Sequence, residues 1–386
     1  MEVKVIKFSE TDITISVNGR VNSTNAEEFL SLLEQILDEH PVKKVLLDVK
    51  NLEMISSAGL RAILRLTKQG YEVRITNVNE TVYQVFEMTG FTELMRVDRP
   101  VRKIVLDEDA EVIGHGANST VYRYRGDTVI KVLREGYSED AIVQELDKTR
   151  RAFVMGIPTV IPFAVVEANG KPGVAFELVE AKSLTKLIIE NEDNINRYID
   201  QYVDSVRRFH EIEATDADRK IYTDANRQME KYIKDLEGYS DPDIIEKMQG
   251  IIEEFAEGNR ILHGDIHPNN VMVTEDQMIY IDMDTLSYGN PEFDLVYLYN
   301  ALAQFNLINP IEEFFGFGAE TAQKIWDQFL RHYFNDKDEE FIQRKQKLYE
   351  VLGLCRLYRW SMRHAADRPD AVATVKKAFE KAVSDY

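Results

Sequence analysis

Cysteine is nearly absent from this sequence: one thiol, Cys355, stands in 386 residues. No disulfide can form within the chain, which fits a reducing, cytoplasmic setting. Cys355 lies in the helical pattern VLGLCRLYRW, where a buried structural thiol is the expectation. Long apolar runs are also missing. None approaches the roughly 18 residues that span a bilayer, and the N-terminus MEVKVIKFSE has neither the apolar region nor the cleavage site of a secretory signal. Positive charge is in deficit, with 47 Lys and Arg against 67 Asp and Glu and a net charge of −20. That balance speaks against a general nucleic-acid binder and for solubility. There is no internal repeat and no low-complexity tract. What is present is 44% hydrophobic residues with aromatics throughout, in a length that suits two or three globular domains.

The first hundred residues read as a small α/β unit. VKVIKF and ITISVNG alternate like strands. STNAEEFLSLLEQILDEH reads as a helix capped by Ser23 or Thr24, with Phe29, Leu32, Leu33 and Ile36 on one face. KKVLLDVK is a buried strand. NLEMISSAGL reads as a loop leading into the helix SAGLRAILRLTKQG, which Gly70 stops. EVRITNV is another strand and TVYQVFEMTG a short helix. Residues 1–98 form the first domain by this reading, and 99–107 a linker.

The loop carries a specific resemblance. Its Ser-Ala-Gly-Leu at 57–60 resembles the strand-to-helix junction of STAS domains, the fold of bacterial anti-sigma factor antagonists. The resemblance implies a phosphorylatable serine at Ser57 and a protein partner. Ser56 replaces the usual Asp, and Ala58 the second hydroxyl residue. The alternative is that Ser56 or Ser57 simply caps the helix.

The second unit opens with EVIGHGANSTVYRY. Gly114 and Gly116 precede Ser119 and Val121, and a strand follows them rather than a helix. Strand, glycine loop, strand is the layout of a loop lying over ATP phosphates, whereas a dinucleotide fold puts a helix there. Lys131 in VIKVL stands among apolar residues, where a phosphate-binding lysine belongs. SEDAIVQELDKTRRAF reads as the next helix, capped by Ser138, with Glu145 on its apolar face to orient Lys131. VAFELVEAKSL looks like a strand running into a hinge, with adenine contacts from backbone groups at Glu177 and Val179.

Then comes HGDIHPNN. Asp265 suits the group that positions, or takes the proton from, an attacking hydroxyl, and Asn270 a Mg²⁺ ligand. MIYIDMD places a second metal-binding carboxylate at Asp282. His263 and His267 flank Asp265, but no third ligand lies at zinc-like spacing. Asp294, in NPEFDLVYL, caps the following helix or braces the catalytic loop. His210 ends an amphipathic helix. The aromatics Tyr297, Tyr299, Phe305, Trp326 and Trp360 read as core.

In this order and spacing, residues 108–386 resemble the aminoglycoside phosphotransferase and choline kinase-like family. HGD, the following His-Pro, IDMD and YGNPEFDL favour that branch over protein kinases. The resemblance implies a two-lobed kinase fold, with a β-rich lobe at 108–180 and a helical lobe at 181–386. It also implies ATP, Mg²⁺ and transfer to a small-molecule hydroxyl. Ser119 departs from a third glycine, and Ala181 from a glycine after the hinge. A protein kinase acting on a STAS serine, its own or a partner's, and a non-catalytic nucleotide sensor remain as alternatives.

Overall fold

The structure is a computed structural model that describes residues 1–116, 119–134, 136, 139–253, 255 and 257–386. The chain divides into two compact units. One comprises Met1–Tyr124, Ile130–Val143 and Ala164–Ala175; the other comprises Arg125–Val129, Gln144–Phe163 and Phe176–Tyr386.

In the first hundred residues the elements run β1 (Glu2–Phe8), β2 (Asp12–Val21), α1 (Ala26–Glu39), β3 (Lys44–Asp48), β4 (Leu52–Ile55), α2 (Ser57–Lys68), β5 (Glu72–Thr76), α3 (Glu80–Met88), α4 (Phe91–Leu94) and β6 (Arg96–Val97). The sheet order is β1-β2-β3-β5-β6, with β4 paired to β2. β1 is antiparallel to β2, and the β2, β3, β5 and β6 pairings are parallel. Ile13, Ile15, Val45, Leu47 and Ile75 alternate inward from these strands and pack on Phe29 and Leu33 of α1 and on Ile63 and Leu66 of α2. Each buried aliphatic side chain contributes roughly 1.5–3 kcal/mol.

Two sequence expectations change here. Neither Ser23 nor Thr24 caps α1. The helix begins after Asn25, whose amide instead pins the preceding turn, accepting from the Asn22 N–H at 2.8 Å and donating to the Arg20 carbonyl at 2.9 Å. The stretch read as a loop holds a strand, β4. Its buried residues Leu52 and Ile55 are three apart, so it lacks the alternation that marks a strand.

A second sheet follows, ordered β7-β11-β12-β10-β9-β8. Its strands are β7 (Arg102–Ile104), β8 (Val112–His115), β9 (Ser119–Arg123), β10 (Thr128–Leu133), β11 (Pro162–Ala168) and β12 (Lys171–Glu177), and α5 (Glu139–Val154) lies between β10 and β11 in the chain. β7 falls inside the stretch expected to be a linker and pairs in parallel with β11. Its two exposed basic residues hide the pattern. Ser138, the expected cap of α5, lies outside the described residues.

The rest is mainly helical. It contains β13 (Lys182–Ser183), α6 (Leu184–Glu190), α7 (Ile195–Phe209), α8 (Asp218–Ile221), β14 (Thr223–Asp224), α9 (Ala225–Asp235) and α10 (Pro242–Glu253). Then come β15 (Arg260–Leu262), β16 (Val271–Val273), β17 (Met278–Tyr280), β18 (Ser287–Gly289) and α11 (Glu292–Tyr299). A five-residue π-helix, Asn300–Gln304, follows α11 directly. The chain closes with α12 (Ile311–Phe315), α13 (Ala319–Tyr333), α14 (Glu339–His364) and α15 (Pro369–Asp385). Tyr202, Phe293, Trp326, Phe329, Tyr349 and Phe379 are fully buried at its centre. Tyr297 and Trp326 of the aromatic set belong to this core, while Tyr299, Phe305 and Trp360 are partly buried against it.

Candidate active site

The residues 263–270 form the loop between β15 and β16. Buried Ile261 and Leu262 anchor it from below. At Gly264 the backbone turns with φ +80°, and a Cβ there would lie 2.5 Å from the Thr285 carbonyl oxygen. Only glycine meets both demands.

Asp294 holds this turn. It is completely buried in α11, and its two oxygens accept from the backbone N–H groups of His263 at 2.9 Å and Gly264 at 2.7 Å. The same carboxylate bonds His210 Nε2 at 2.9 Å, and the other nitrogen of that ring meets the Tyr333 hydroxyl. Asp294 therefore braces the loop rather than capping α11. His210, at the end of α7, is its partner.

His263 is a structural member of the loop. Its Nδ1 accepts from the Asp265 N–H at 3.2 Å, and its Nε2 faces the Ile281 carbonyl at 3.1 Å. A ring that accepts on one nitrogen and donates on the other is neutral. Complete burial pushes its pKa down and keeps it so. Tyr202 of α7 donates to the Ile266 carbonyl, and Thr285 donates to the His263 carbonyl at 2.8 Å.

Asp265 is half-buried at the head of this scaffold. His267 Nε2 lies 3.3 Å from its carboxylate. The Asn270 amide nitrogen lies 2.9 Å from the Asp265 carbonyl oxygen and 3.3 Å from its carboxylate. Burial raises the carboxyl pKa, but His267, by charge and hydrogen bond, and the charge of Arg356 outweigh it, so the group sits well below the usual carboxylate range. The Nδ1 of His267 is buried without a partner among the described residues, and the ring packs edge-on against Phe314 and Phe315.

Asp282 follows β17. The Tyr280 N–H donates to the Pro158 carbonyl and the Ile281 N–H to the Asn270 carbonyl, which fixes the strand end beside the loop. Asp282 then adopts φ +65°, a left-handed conformation that costs a non-glycine residue roughly 1–2 kcal/mol and recurs at functional sites. Two residues on, the Asp284 carbonyl accepts from Lys148 Nζ at 2.6 Å.

The other expected residues lie on separate elements. Gly114 is in β8, Ser119 and Val121 in β9, and Lys131 in β10 between buried Ile130 and Val132. The Gly116 N–H donates to the Ser119 carbonyl at 2.9 Å. Glu145 is buried in α5. Glu177 ends β12: its N–H donates to the Ile161 carbonyl, and its carboxylate accepts from the Ile161 N–H at 2.9 Å. Val179 follows it. Ser56 is the N-cap of α2, its hydroxyl accepting from the Gly59 N–H at 3.4 Å, and Ser57 is exposed on the first turn. Gly59 itself is required, because a Cβ there would lie 2.6 Å from Val21 Cγ1.

Sequence reasoning missed Lys148, Tyr202 and Thr285. Of these only Lys148 left a signal, standing three residues after Glu145 and so on the same face of the helix.

Glycines at the end of one strand and before the next, a helical lobe, and an Asp–Asn loop braced by a buried carboxylate define a kinase-like phosphotransferase fold. The chain belongs to the phosphotransferase enzyme family, whose model matches residues 109–326, and it carries a STAS domain at residues 4–104. Over 85 residues it is 36% identical to BtrV of Bordetella bronchiseptica, by name an anti-sigma factor antagonist, covering 21% of this chain and 72% of that one. The solved GDP and kanamycin complex of APH(2")-IIia is similar, with TM-score 0.50 and 15% identity over 78% of this chain and 98% of that one. A choline/ethanolamine kinase family protein from Mesorhizobium loti gives TM-score 0.49 and 15% identity over 71% and 87% of the two chains. At such identity the kanamycin-complex likeness speaks for the fold alone.

Proposed function

We propose that this chain is an ATP- and Mg²⁺-dependent phosphotransferase that moves the γ-phosphate of ATP to a hydroxyl of a small molecule. The observation that carries the reading is the Asp265–Asn270 loop, held by Asp294 beside Asp282. The acceptor oxygen bonds to the γ-phosphorus, the bond from that phosphorus to the β-phosphate oxygen breaks, and ADP leaves. The hydroxyl proton passes to Asp265 and then to solvent. Asp265 aligns the attacking hydroxyl and takes its proton.

Asn270 and Asp282 fit the hard oxygen ligands that Mg²⁺ prefers, and the metal bound there with phosphate oxygens and water would neutralise phosphate charge. The Asn270 nitrogen is spent on Asp265, which leaves its oxygen as the ligand atom. Lys131, oriented by Glu145, pairs with the α- and β-phosphates. Gly114, Gly116, Ser119 and Val121, with the backbone of Glu177 and Val179, are the groups that would hold the nucleotide. The STAS module, over 1–98, meets a protein partner. The test is ATP consumption with Mg²⁺ across a panel of hydroxyl compounds, wild type against Asp265→Ala. Equal turnover by the two refutes the mechanism. ATP binding without turnover on any acceptor supports a nucleotide sensor instead.

A second reading rests on one further observation. Ser56 takes the capping role, which leaves the exposed Ser57 hydroxyl at the positive end of α2, a place that suits phosphate. In this reading the kinase modifies Ser57. Intact mass after incubation with MgATP decides: one added phosphate, lost in Ser57→Ala, is expected, and an unchanged mass refutes it.

A further inference from the structure

Among the described residues, the helical lobe contains an arginine with no counter-ion. Arg356, part-buried in α14, has its guanidinium 4.4 Å above the ring centroid of Tyr297, and its Nη1 donates to Asn300 Oδ1 at 3.2 Å. Among the described residues no carboxylate lies within ion-pair distance of it. Arg359, three residues later, shows what the chain does with a structural arginine. It too lies over a tyrosine, 4.2 Å from the Tyr232 centroid, but its Nε reaches Asp235 at 2.6 Å, and Arg363 shares that carboxylate. A part-buried charge without an ionic partner is costly, and although the net charge is −20, no carboxylate among the described residues pairs with Arg356.

The surroundings of Arg356 are built. Asn300 is buried, and its amide nitrogen donates to Gln304 Oε1 and to the Gly353 carbonyl, both at 3.0 Å, which turns Oδ1 toward the arginine. Gln304 is in turn held by the Glu350 carbonyl at 2.7 Å. Asn300 and Gln304 are the ends of the π-helical stretch, a geometry found mostly at functional sites. The Tyr297 hydroxyl is buried with no partner among the described residues. Tyr297 stands three residues after Asp294 on the same helix, hence on the side that braces the catalytic loop. The charge of Arg356 is also one of the influences that lower the Asp265 carboxyl pKa, after burial, which raises it, and His267.

We propose that Arg356, laid on Tyr297 and held by Asn300, anchors the phosphoryl acceptor, and that this acceptor carries an anionic oxygen group, a carboxylate or a phosphate, besides its hydroxyl. One of the five guanidinium N–H groups is spent on Asn300. The others form a planar fork that matches such an anion bidentately. The same charge disfavours a polycationic acceptor. The proposal rests on the phosphotransferase reading for the chemistry, but not for the binding.

The test uses the full chain with MgATP and two sets of hydroxyl compounds. Glycerate, gluconate, glycerol 3-phosphate and glucose 6-phosphate form the anionic set. Glycerol, glucose, choline and kanamycin form the neutral and cationic set. Binding is read by calorimetry and transfer by ADP release, for wild type, Arg356→Gln and Arg356→Lys, each first checked for its unfolding midpoint. The expected result is that a member of the anionic set binds and is phosphorylated, with its KM raised about a hundredfold in Arg356→Gln and about tenfold in Arg356→Lys. An anionic acceptor whose KM changes less than threefold in Arg356→Gln overturns the proposal, as does binding confined to the other set. Should Arg356→Gln not fold, Arg356→Lys decides alone, and a wild-type KM there is the overturning result. If nothing is phosphorylated, the phosphotransferase reading falls by itself. Calorimetry then decides the anion site: binding lost in the variants upholds it, and no binding by any anionic compound overturns it.

Discussion

Replacing Asp294 by Asn tests the scaffold most sharply. The carboxylate is fully buried and serves three donors, the N–H groups of His263 and Gly264 and the Nε2 of His210. An amide keeps one acceptor oxygen and puts an NH₂ where the other oxygen stood, facing a donor. At least one charge-assisted bond is lost and one buried N–H is left without an acceptor, for a total of about 3–5 kcal/mol. That is a large part of a typical net stability of roughly 5–15 kcal/mol. The assay is a urea titration followed by tryptophan fluorescence. Both tryptophans, Trp326 and Trp360, lie in the helical lobe, so the signal reports that lobe even though the chain as a whole is not one two-state unit. The expected variant unfolds at a clearly lower urea concentration. Its turnover falls about a hundredfold, since a displacement of about 1 Å at the loop is enough for that. A loss of under about 1 kcal/mol with wild-type turnover would show that the loop does not depend on this carboxylate.

Other outcomes follow from the same geometry. Gly264→Ala adds a Cβ at φ +80° and 2.5 Å from the Thr285 carbonyl, and should lower helical-lobe stability by about 2–4 kcal/mol in the same titration. Tyr202→Phe leaves the buried Ile266 carbonyl without its donor and should cost about 1–3 kcal/mol. The Cys355 thiol is buried, which pushes its pKa up to about 12, so iodoacetamide should label it only as the helical lobe unfolds; rapid labelling of native protein would contradict the burial. Asp218, with burial opposing and Arg151 and Thr215 favouring ionisation, has a lowered pKa. Unfolded chains then bind its proton more readily than folded ones, so its contribution is present above the ordinary aspartate range and is lost as pH falls below it. Asp218→Asn should flatten the acid limb of a stability-against-pH curve, and an unchanged limb would refute the assignment.

Much of the fold was legible because its signals are local. Alternation in ITISVNG, helical spacing in SAGLRAILRLTKQG, and glycines followed by β-branched residues in EVIGHGANSTVY each reflect one element's own burial pattern. The spacing of Asp265 and Asn270 likewise put them on one loop, where they hydrogen-bond. What stayed hidden depends on partners distant in the chain. β4 is a strand only because β2 pairs with it, and β7 only because β11 does. The braces at Tyr202 and Asp294 span 64 and at least 30 residues, and the unusual turn after α11 is fixed by Gly353 and Glu350 of another helix. No single window of sequence contains both ends of such bonds.

The last turns of α5 carry one more consequence. Lys148 is clipped to the Asp284 carbonyl, the Lys148 carbonyl itself accepts from the Tyr222 hydroxyl, and Arg151 is paired to the buried Asp218 at 2.7 Å. In kinases whose corresponding helix can swing, that motion is an on–off control. Here the helix bearing Glu145 is riveted at successive turns to the segments around Asp218 and Asp284. Its last turns are fixed to those segments when the chain folds, so they move with the helical lobe and not independently of it.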